Sequence, residues 1–559
     1  MKRIAFYVLC IAAFSVKTKA QSTNLPFNTI GYKFIERLTI QNNKAQTNIF
    51  TNQKPFSRKD VIGLVEALDT VNLFFSVQDR RDHRYLYIEN NEWTDKGEIP
   101  TKRALFNTFY KYKSDFFYKK GDNFQLKINP VFHFELGTSI NDDLITYRNA
   151  RGFSIRGLLH NKIGFYTYLT DNQTIEPRYV QNFVFSKYNG QDAVPGEAPY
   201  STFGENDALD YFSYRGYISF PIFKAVQFQF GHDKHFFGNG YRSLFLSNEG
   251  APYLFGKLST KFWKLSYQTI WAELIEQYSI LDPAGLRNRK YGVWHHLSYN
   301  ATNWLNIGLF EGIIFDRENG FDLNYLNPVI FYKAIEWHVG SPDNSIIGLD
   351  AKVNFLNHFE VYGQLVFDEF RASELFKERR GWFGNKYAWQ LGAKYINAFK
   401  VSHLDFEVEY NLVRPYTFAH FNTNINYTHY NQALGHIAGS NFKELLFITK
   451  YRPVNKLNIR NTFMYLQQGK NTTDINYGGN IFESILNYPQ EFGNETLQGN
   501  KTTIFNNQFL VSYQLFHNLF VDGKYMFRYE TNLDKGINFS TQYISIGLRL
   551  NTAHRSFMF

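Results

Sequence analysis

The sequence predicts an all-β fold: a transmembrane antiparallel β-barrel of about 18 strands, with a small N-terminal helical segment plugging its periplasmic end. Three observations carry the prediction. Residues 401–413 alternate without a break, with Leu404, Phe406, Val408, Tyr410 and Leu412 on one face and His403, Asp405, Glu407, Glu409 and Asn411 on the other. Strand side chains point to opposite faces in turn, so this segment has an apolar wall suited to lipid and a charged wall suited to a wet lumen. The C-terminal strands, at 386–396, 401–413, 443–452, 457–466, 502–515, 519–530 and 540–551, are joined by connections that alternate in length. Tight turns at 397–400, 453–456 and 516–518 contrast with long stretches at 414–442 and 467–501, as expected of a barrel with short periplasmic turns and long surface loops. Finally, no later stretch reaches about 18 uninterrupted apolar residues, so no membrane helix is expected.

Taken in order, residues 1–20 read as a Sec signal peptide. Lys2 and Arg3 precede an apolar run over 4–16, and Thr18-Lys19-Ala20 offers small residues before Gln21. The sole cysteine, Cys10, lies inside it behind bulky Leu9, which argues against lipidation and leaves the mature chain without a thiol. Cleavage removes four cations and no acid, taking the net charge from +10 to +6. That excess is ordinary surface charge, or a preference for anionic lipopolysaccharide or an acidic polymer. Outer-membrane lipid is an expected partner, and nucleic acid is not.

Residues 21–54, rich in Asn, Gln and Thr, read as an irregular lead-in. Ser57 with Asp60, and Ser76 with Asp79, resemble helix N-caps. Behind the first lie Val61, Leu64, Val65 and Leu68; behind the second lie His83, Leu86, Tyr87 and Asn90, all at helical spacing. Two short helices bury little alone, so the 21–100 region is expected to pack against the barrel of 101–559, with strands beginning near residue 105. At roughly 25 residues per strand and connection, that length gives about 18 strands. Aromatic residues make up 19%, with 57 Phe and 39 Tyr, at a mean hydropathy of only −0.38. A barrel fits this, although a large carbohydrate-binding β-sandwich would share it. The last strand carries Ile544, Ile546, Leu548 and Leu550, loosely like an assembly signal, and residues 552–559 read as a frayed tail or a sorting element.

No hydrolase elbow, zinc-protease helix motif or phosphate loop is present. Glu311, Asp316, Glu318 and Asp322 cluster near Asn319-Gly320, where two carboxylates could form a glycosidase pair; acidic loops are commonplace, and no enzyme is expected. The densest segment is 230–258, where His232, Asp233, Lys234, His235 and Arg242 stand among Phe236, Phe237 and Tyr241. Gly238, Asn239 and Gly240 suit a tight reversal. Two readings stay open: a polar cluster pointing into the lumen that holds a sugar, or a salt-bridged turn that stiffens the barrel. A metal at His232 and His235 lacks further ligands at suitable spacing, so no metal or cofactor is expected.

This segment resembles the signature of the Wzi-like capsule-assembly family, through Gly231, Phe236, Phe237, Gly238, Gly240, Leu244, Leu246, Ser247 and Asn248. His232 stands where the family usually has a basic residue. A second stretch, 326–350, resembles the branch found in gliding bacteria, through Asn327-Pro328, Glu336, Ser341, Asp343-Asn344, Gly348 and Asp350, and the helical pair ending at Glu92-Trp93 fits that branch too. The resemblance implies an 18-stranded outer-membrane barrel closed at one end by periplasmic helices. It also implies non-enzymatic binding of capsular polysaccharide and, in the gliding branch, support of cell movement.

The expected function is therefore binding of surface polysaccharide, in the service of gliding motility or of capsule or exopolysaccharide organisation. Gliding or secretion machinery would be the protein partners. The polysaccharide-binding residues expected are His232, Asp233, Lys234, His235, Asn239 and Arg242, then Glu336, Asp343, Asn344 and Asp350, and on the 414–442 loop Tyr416, Tyr427 and Tyr430. That loop also holds Phe418, His420, Phe421 and His429; tyrosine rings offer stacking area and a hydroxyl, or else they pack the loop over the barrel mouth. The alternative is a porin or secretion barrel, which a plugged lumen would disfavour.

Overall fold

Eighteen strands close into one antiparallel barrel in the computed structural model. The structure describes residues 22–42, 49–70, 76–102, 104–160, 162–185, 193–197, 200–204, 207–276, 287–317, 320–340, 342–532 and 536–559. Residues 1–20, read from sequence as a signal peptide, and Glu318, Asn319 and Ser341 lie outside the described residues. The first long strand, Phe124–Ser139, pairs with the last, Ile537–Leu550, in a register running from Tyr543 opposite Ser139 to Leu550 opposite Phe132. That pairing removes the open edges of the sheet. Among the described residues no helix is long and apolar enough to cross a membrane.

The alternation read from sequence becomes the two faces of the wall. In strand Leu404–Val413, Asp405, Glu407, Glu409 and Asn411 are buried in the lumen while Val408 faces out. Inside, Glu407 meets Lys450 at 2.9 Å, and Lys394 meets Glu360 at 2.8 Å. Outside, Leu136, Phe153, Phe230, Leu391 and Ile546 are exposed. A slip of one residue would exchange these faces, so the charge pattern itself fixes the register. The strand begins at Leu404 rather than at 401. Asn397, Phe399, Lys400 and His403 all have positive φ and form the turn that precedes it. Residues 104–116 form irregular structure with isolated bridges, so the first strand of the closed ring starts later than residue 105.

At the end bearing the short turns, three helices rather than two enter the barrel: α1 (Ile30–Gln41), α2 (Arg58–Asp69) and α3 (Val77–Glu89). Ser57 and Ser76 cap α2 and α3, the latter in a full capping box with Asp79. The lead-in expected at 21–54 is thus partly helical. α1 was hidden because Thr29 gives it no side-chain cap and charged residues sit between its apolar ones; Phe34, Ile35 and Leu38 nevertheless bury against Val65, Leu68 and Leu86.

Beyond α1 the chain rises through the lumen. Asn52 donates to Asp350 at 2.8 Å, Gln53 donates to the His296 carbonyl at 3.1 Å, and Gln53–Lys54 pair antiparallel with Phe236–Phe237. The C-terminal tail is also internal, which corrects the reading of 552–559 as frayed. After Asn551 it turns back up the lumen. Arg555 donates to Tyr211 at 2.8 Å, and Phe559 stacks on Phe183 at 4.1 Å, beside the helix Arg178–Phe185. Two phenyl rings in the last three residues would be costly in water, and the lumen gives them a dry place.

Candidate functional site

Strand Val226–Asp233 ends on the long-loop side, but the chain that follows folds inward across the lumen. Its shape is set by close approaches to the wall. Gly238 takes φ +138°, and a Cβ there would stand 2.6 Å from the Gln364 amide. A Cβ on Gly240 would stand 2.4 Å from a Glu409 carboxylate oxygen. Gly238 therefore supplies the positive φ expected of the reversal, whereas Gly240 is needed for clearance. Glu409 accepts from the backbone N–H of Tyr241 (2.7 Å) and Arg242 (3.1 Å), so a wall carboxylate cradles the turn. Gln364 accepts from the Leu244 N–H at 2.8 Å and donates to the Phe237 carbonyl at 2.9 Å.

Rings fill the remaining space. Phe245 stacks on Phe310 at 4.5 Å, and Phe237 stacks on His296 at 4.6 Å. The loop 414–441 then folds down over this segment. Tyr427 donates to the Phe245 carbonyl at 2.7 Å and accepts from Trp294 at 2.9 Å; the Ser247 N–H donates to Leu434 at 2.7 Å. Lumen, loop and lid make one core at this end.

Between the helices, the inward loop and the C-terminal tail lies a chamber of about 550 Å³. Tyr166, Tyr168 and Tyr241 line it with Arg148, Arg215 and Arg460 on the wall; Arg215 lies over the Tyr168 ring at 5.9 Å, and Arg242 and Arg460 lie over the Tyr241 ring, each at 5.3 Å. Lys234, Asn239 and Arg242 line it too. Lys234 donates to the Gly196 and Asn248 carbonyls, and burial, helped by the nearby Arg215 charge, pulls its amine down to about 7. Arg242 is held by Glu249 (2.5 Å), Glu444 (3.1 Å) and the Met558 carbonyl, which ties the inward loop to the tail. Asn239 accepts from Thr51 at 2.7 Å, while its Nδ2 finds no partner among the described residues. Aromatic faces with convergent donors and acceptors suit a polyhydroxylated ligand.

The expected residues do not form one cluster. His232 faces outward and stacks on Tyr214 at 4.8 Å, which corrects the reading of it as luminal. It therefore stands apart from His235, which is buried against Tyr253 and Phe255. Asp233 points inward, 4.0 Å from Arg215. Glu336 pairs with Lys333 at 2.8 Å on a loop lying against the outer wall, and Asp343 receives two 2.7 Å bonds from Arg317. Asn344 donates to the Ile425 carbonyl at 3.0 Å, and Asp350 lies 2.8 Å from His296 in the lumen. Tyr416, Tyr427 and Tyr430 are buried rather than displayed, because the loop they sit on folds inward. The acidic group is dispersed as well. Glu311 faces outward and accepts from the N–H groups of Tyr332 and Lys333, while Asp322 pairs with Arg317. Arginines at inward positions and the basic, aromatic tail were the overlooked signals for the chamber.

One donor set has the spacing of a metal site: Asp79, Asp82 and His403 come within 4.8 Å of one another. Its chemistry does not fit a cation. Arg452 binds both oxygens of Asp82, and Arg37 reaches Asp79 at 3.4 Å. Two guanidinium groups already neutralise it, so it is the joint between plug and barrel.

No protein-family model and no curated protein matches the chain. Among solved structures it is similar to Wzi of Escherichia coli, described as an outer-membrane, carbohydrate-binding β-barrel involved in group 1 capsule assembly. The match has 10% identity and a TM-score of 0.56, and covers 96% of this chain and 100% of that one. The outer membrane protein OprD of Pseudomonas aeruginosa follows at 10% identity and TM-score 0.41, covering 76% of this chain and 92% of that one. OccAB2 of Acinetobacter baumannii stands at 9% and 0.42, covering 76% and 97%. The last two are too distant to carry an argument. The Wzi match establishes a fold shared from end to end, a closed antiparallel β-barrel.

Proposed function

We propose that this chain is a non-enzymatic outer-membrane barrel that binds surface polysaccharide and organises capsule or exopolysaccharide at the cell surface. In this reading residues 1–20 are the cleaved signal, 21–100 the periplasmic helical segment and 101–559 the barrel. Within the Wzi-like family it would belong to the gliding-motility branch typified by RemB, acting by adhesion with gliding or secretion machinery as partners. The observation that carries the reading is the filled lumen. The signature segment, the 414–441 loop, the helices and the tail all occupy it, while aromatic and charged groups line the chamber left between them. The end-to-end likeness to a carbohydrate-binding barrel supports it. Sugar would contact Tyr168 and Tyr241 by their faces and Lys234, Asn239 and Arg242 by hydrogen bonds.

The test is a glycan array probed with the intact purified protein, paired with a spreading assay on a deletion strain. Tyr168→Ala with Tyr241→Ala should abolish glycan retention while the barrel keeps its heat-modifiable gel mobility; unchanged retention would sink the assignment. The conducting alternative requires plug and tail to move aside, and a steady ohmic current through the intact chain in planar bilayers would favour it.

A further inference from the structure

Two surface loops do not fold over the mouth of the barrel but lie down on its outer wall. Residues 323–338 dock on the lipid-facing side of strands Leu265–Ile275, Arg289–Asn300 and Leu305–Phe315. There Tyr267 donates to the Pro328 carbonyl at 2.5 Å, Trp271 donates to the Tyr325 carbonyl at 3.1 Å, and outward-facing Glu311 caps the N-terminus of the helix Tyr332–His338. Farther round the wall, Leu375, Phe376 and Arg379 of residues 373–382 stand over outward-facing Leu365 and Phe367, and the end of this segment is tied to another loop, Gly493 and Asn494 donating to the Arg380 and Gly381 carbonyls. Between the two runs a groove made of adjoining cavities of about 410 and 590 Å³, which share Leu365 and Phe367 as floor.

The groove has two chemistries in a fixed order. Its floor is a continuation of the lipid wall, with Leu309, Leu349, Leu365 and Phe367. Tyr387 and Trp389 stand at the rim, where amphipathic rings mark a membrane interface. Above them lie Arg379 and Arg414. Arg379 is exposed and has no carboxylate within ion-pairing distance among the described residues; the buried Nε of Arg414 has no hydrogen-bond partner among them. The flanking loop exposes Val329, Phe331 and Trp337, at 81%, 56% and 81%. Such a ridge marks a surface that meets an apolar partner, and beside the apolar outer wall that partner is the leaflet, into which the groove then opens.

We propose that this groove binds an acylated, phosphate-bearing glycolipid of the outer leaflet. Its acyl chains lie on the leucine and phenylalanine floor, and a phosphate is held by Arg379 and Arg414. Guanidinium forks match phosphate oxygens in geometry as well as charge. Arg414 is aimed by a bond from its Nη2 to the Asn494 carbonyl at 3.0 Å, which leaves its Nε free for a ligand. A free anion would have no use for the apolar floor, and a neutral lipid none for two arginines without a carboxylate partner among the described residues.

Native mass spectrometry of the intact chain, titrated with a bisphosphorylated lipid A-type glycolipid, tests this. Inorganic phosphate and phosphatidylethanolamine serve as separate probes. The glycolipid adduct should survive activation and fall at least about fivefold in Arg379→Gln/Arg414→Gln, as expected when two charge-assisted bonds are lost. Arg379→Glu alone, at an exposed position that leaves folding intact by gel mobility, should also lower it. Equal adducts in wild type and both variants would overturn the proposal. So would adducts formed equally by phosphate alone, or a second copy of the chain in place of lipid. The outcome does not depend on glycan retention in the chamber, so the two assignments stand or fall separately.

Discussion

The two ends of this lumen are closed by different physics. At the short-turn end the helices are held by ions. Arg37 pairs with Asp405, Arg452 with Asp82, and Glu92 with Lys127 at 2.7 Å and Arg156 at 3.2 Å. At the long-loop end, ions take part as well, Arg242 with Glu249 and Glu444 and the Glu409 carboxylate under the turn, but the 234–252 segment and the 414–441 loop are also locked by stacked rings and neutral hydrogen bonds from Gln364, Tyr427 and Trp294. A buried ion pair only about breaks even once desolvation is counted, yet losing one partner is severe. Packed rings contribute directly and do not respond to pH. The helical end is thus a docked part whose grip depends on conditions, and the loop end is part of the barrel's core.

The largest effect should come from removing one ion at the joint. Arg37→Met leaves Asp405 and Asp79 buried without their cation, and should weaken plug docking by about 3–5 kcal/mol. Protease cleavage within 58–89 would report it, with barrel gel mobility unchanged; continued protection would break the comparison. At the other end, Tyr427→Phe removes the bond to the Phe245 carbonyl and leaves the Trp294 indole N–H without its acceptor. A loss of about 1–3 kcal/mol in thermal stability is expected, with no gain in protease access to the helices.

Acidification should separate the two closures. Burial pulls the His403 imidazole down to about 4 when docked. Burial tends to raise the Asp79 carboxyl, but the His403 hydrogen bond and the Arg37 charge outweigh it and hold the group well below its ordinary range. Both groups bind fewer protons docked than free, so their contribution is complete above about 6.5 for the histidine and about 4 for the carboxyl. It is lost as the pH falls through those values toward the docked ones. Asp82 in the same joint opposes the histidine: burial pushes its carboxyl up to about 6, so it takes up a proton more readily docked than free. The helices should therefore become protease-sensitive mainly below about pH 4, where the Asp79 contribution is lost, while the signature segment keeps its protection against hydrogen exchange. Loss of both together would refute the distinction. The smallest effect sharpens the same contrast: Lys96 pairs with Asp69 at 2.7 Å but in solvent, and Lys96→Ala should leave plug docking unchanged in the protease assay.

Legibility followed locality. The wall was readable at 401–413 because inside and outside alternate residue by residue, and α2 and α3 were readable from Ser57 and Ser76. α1 lacked a cap and was missed. The direction of a loop has no local code. Tyr427 and Tyr430 look like display residues, and His232 looks like a partner of His235, until the loop folds inward and strand parity turns His232 to the outer face of the wall. The chamber draws Arg148, Arg215, Arg460 and the tail from positions hundreds of residues apart, and no spacing rule could collect them.

By itself, then, the sequence determined the closed wall, its two faces and the existence of capped helices near the N-terminus. Each of these follows from side-chain direction and hydrogen bonding within a few residues. Tertiary structure alone decided what fills the lumen, where the tail ends and which loop lies against the outer wall. Those outcomes depend on which distant surfaces offer a dry or neutralising partner, and that is known only once the cylinder has closed.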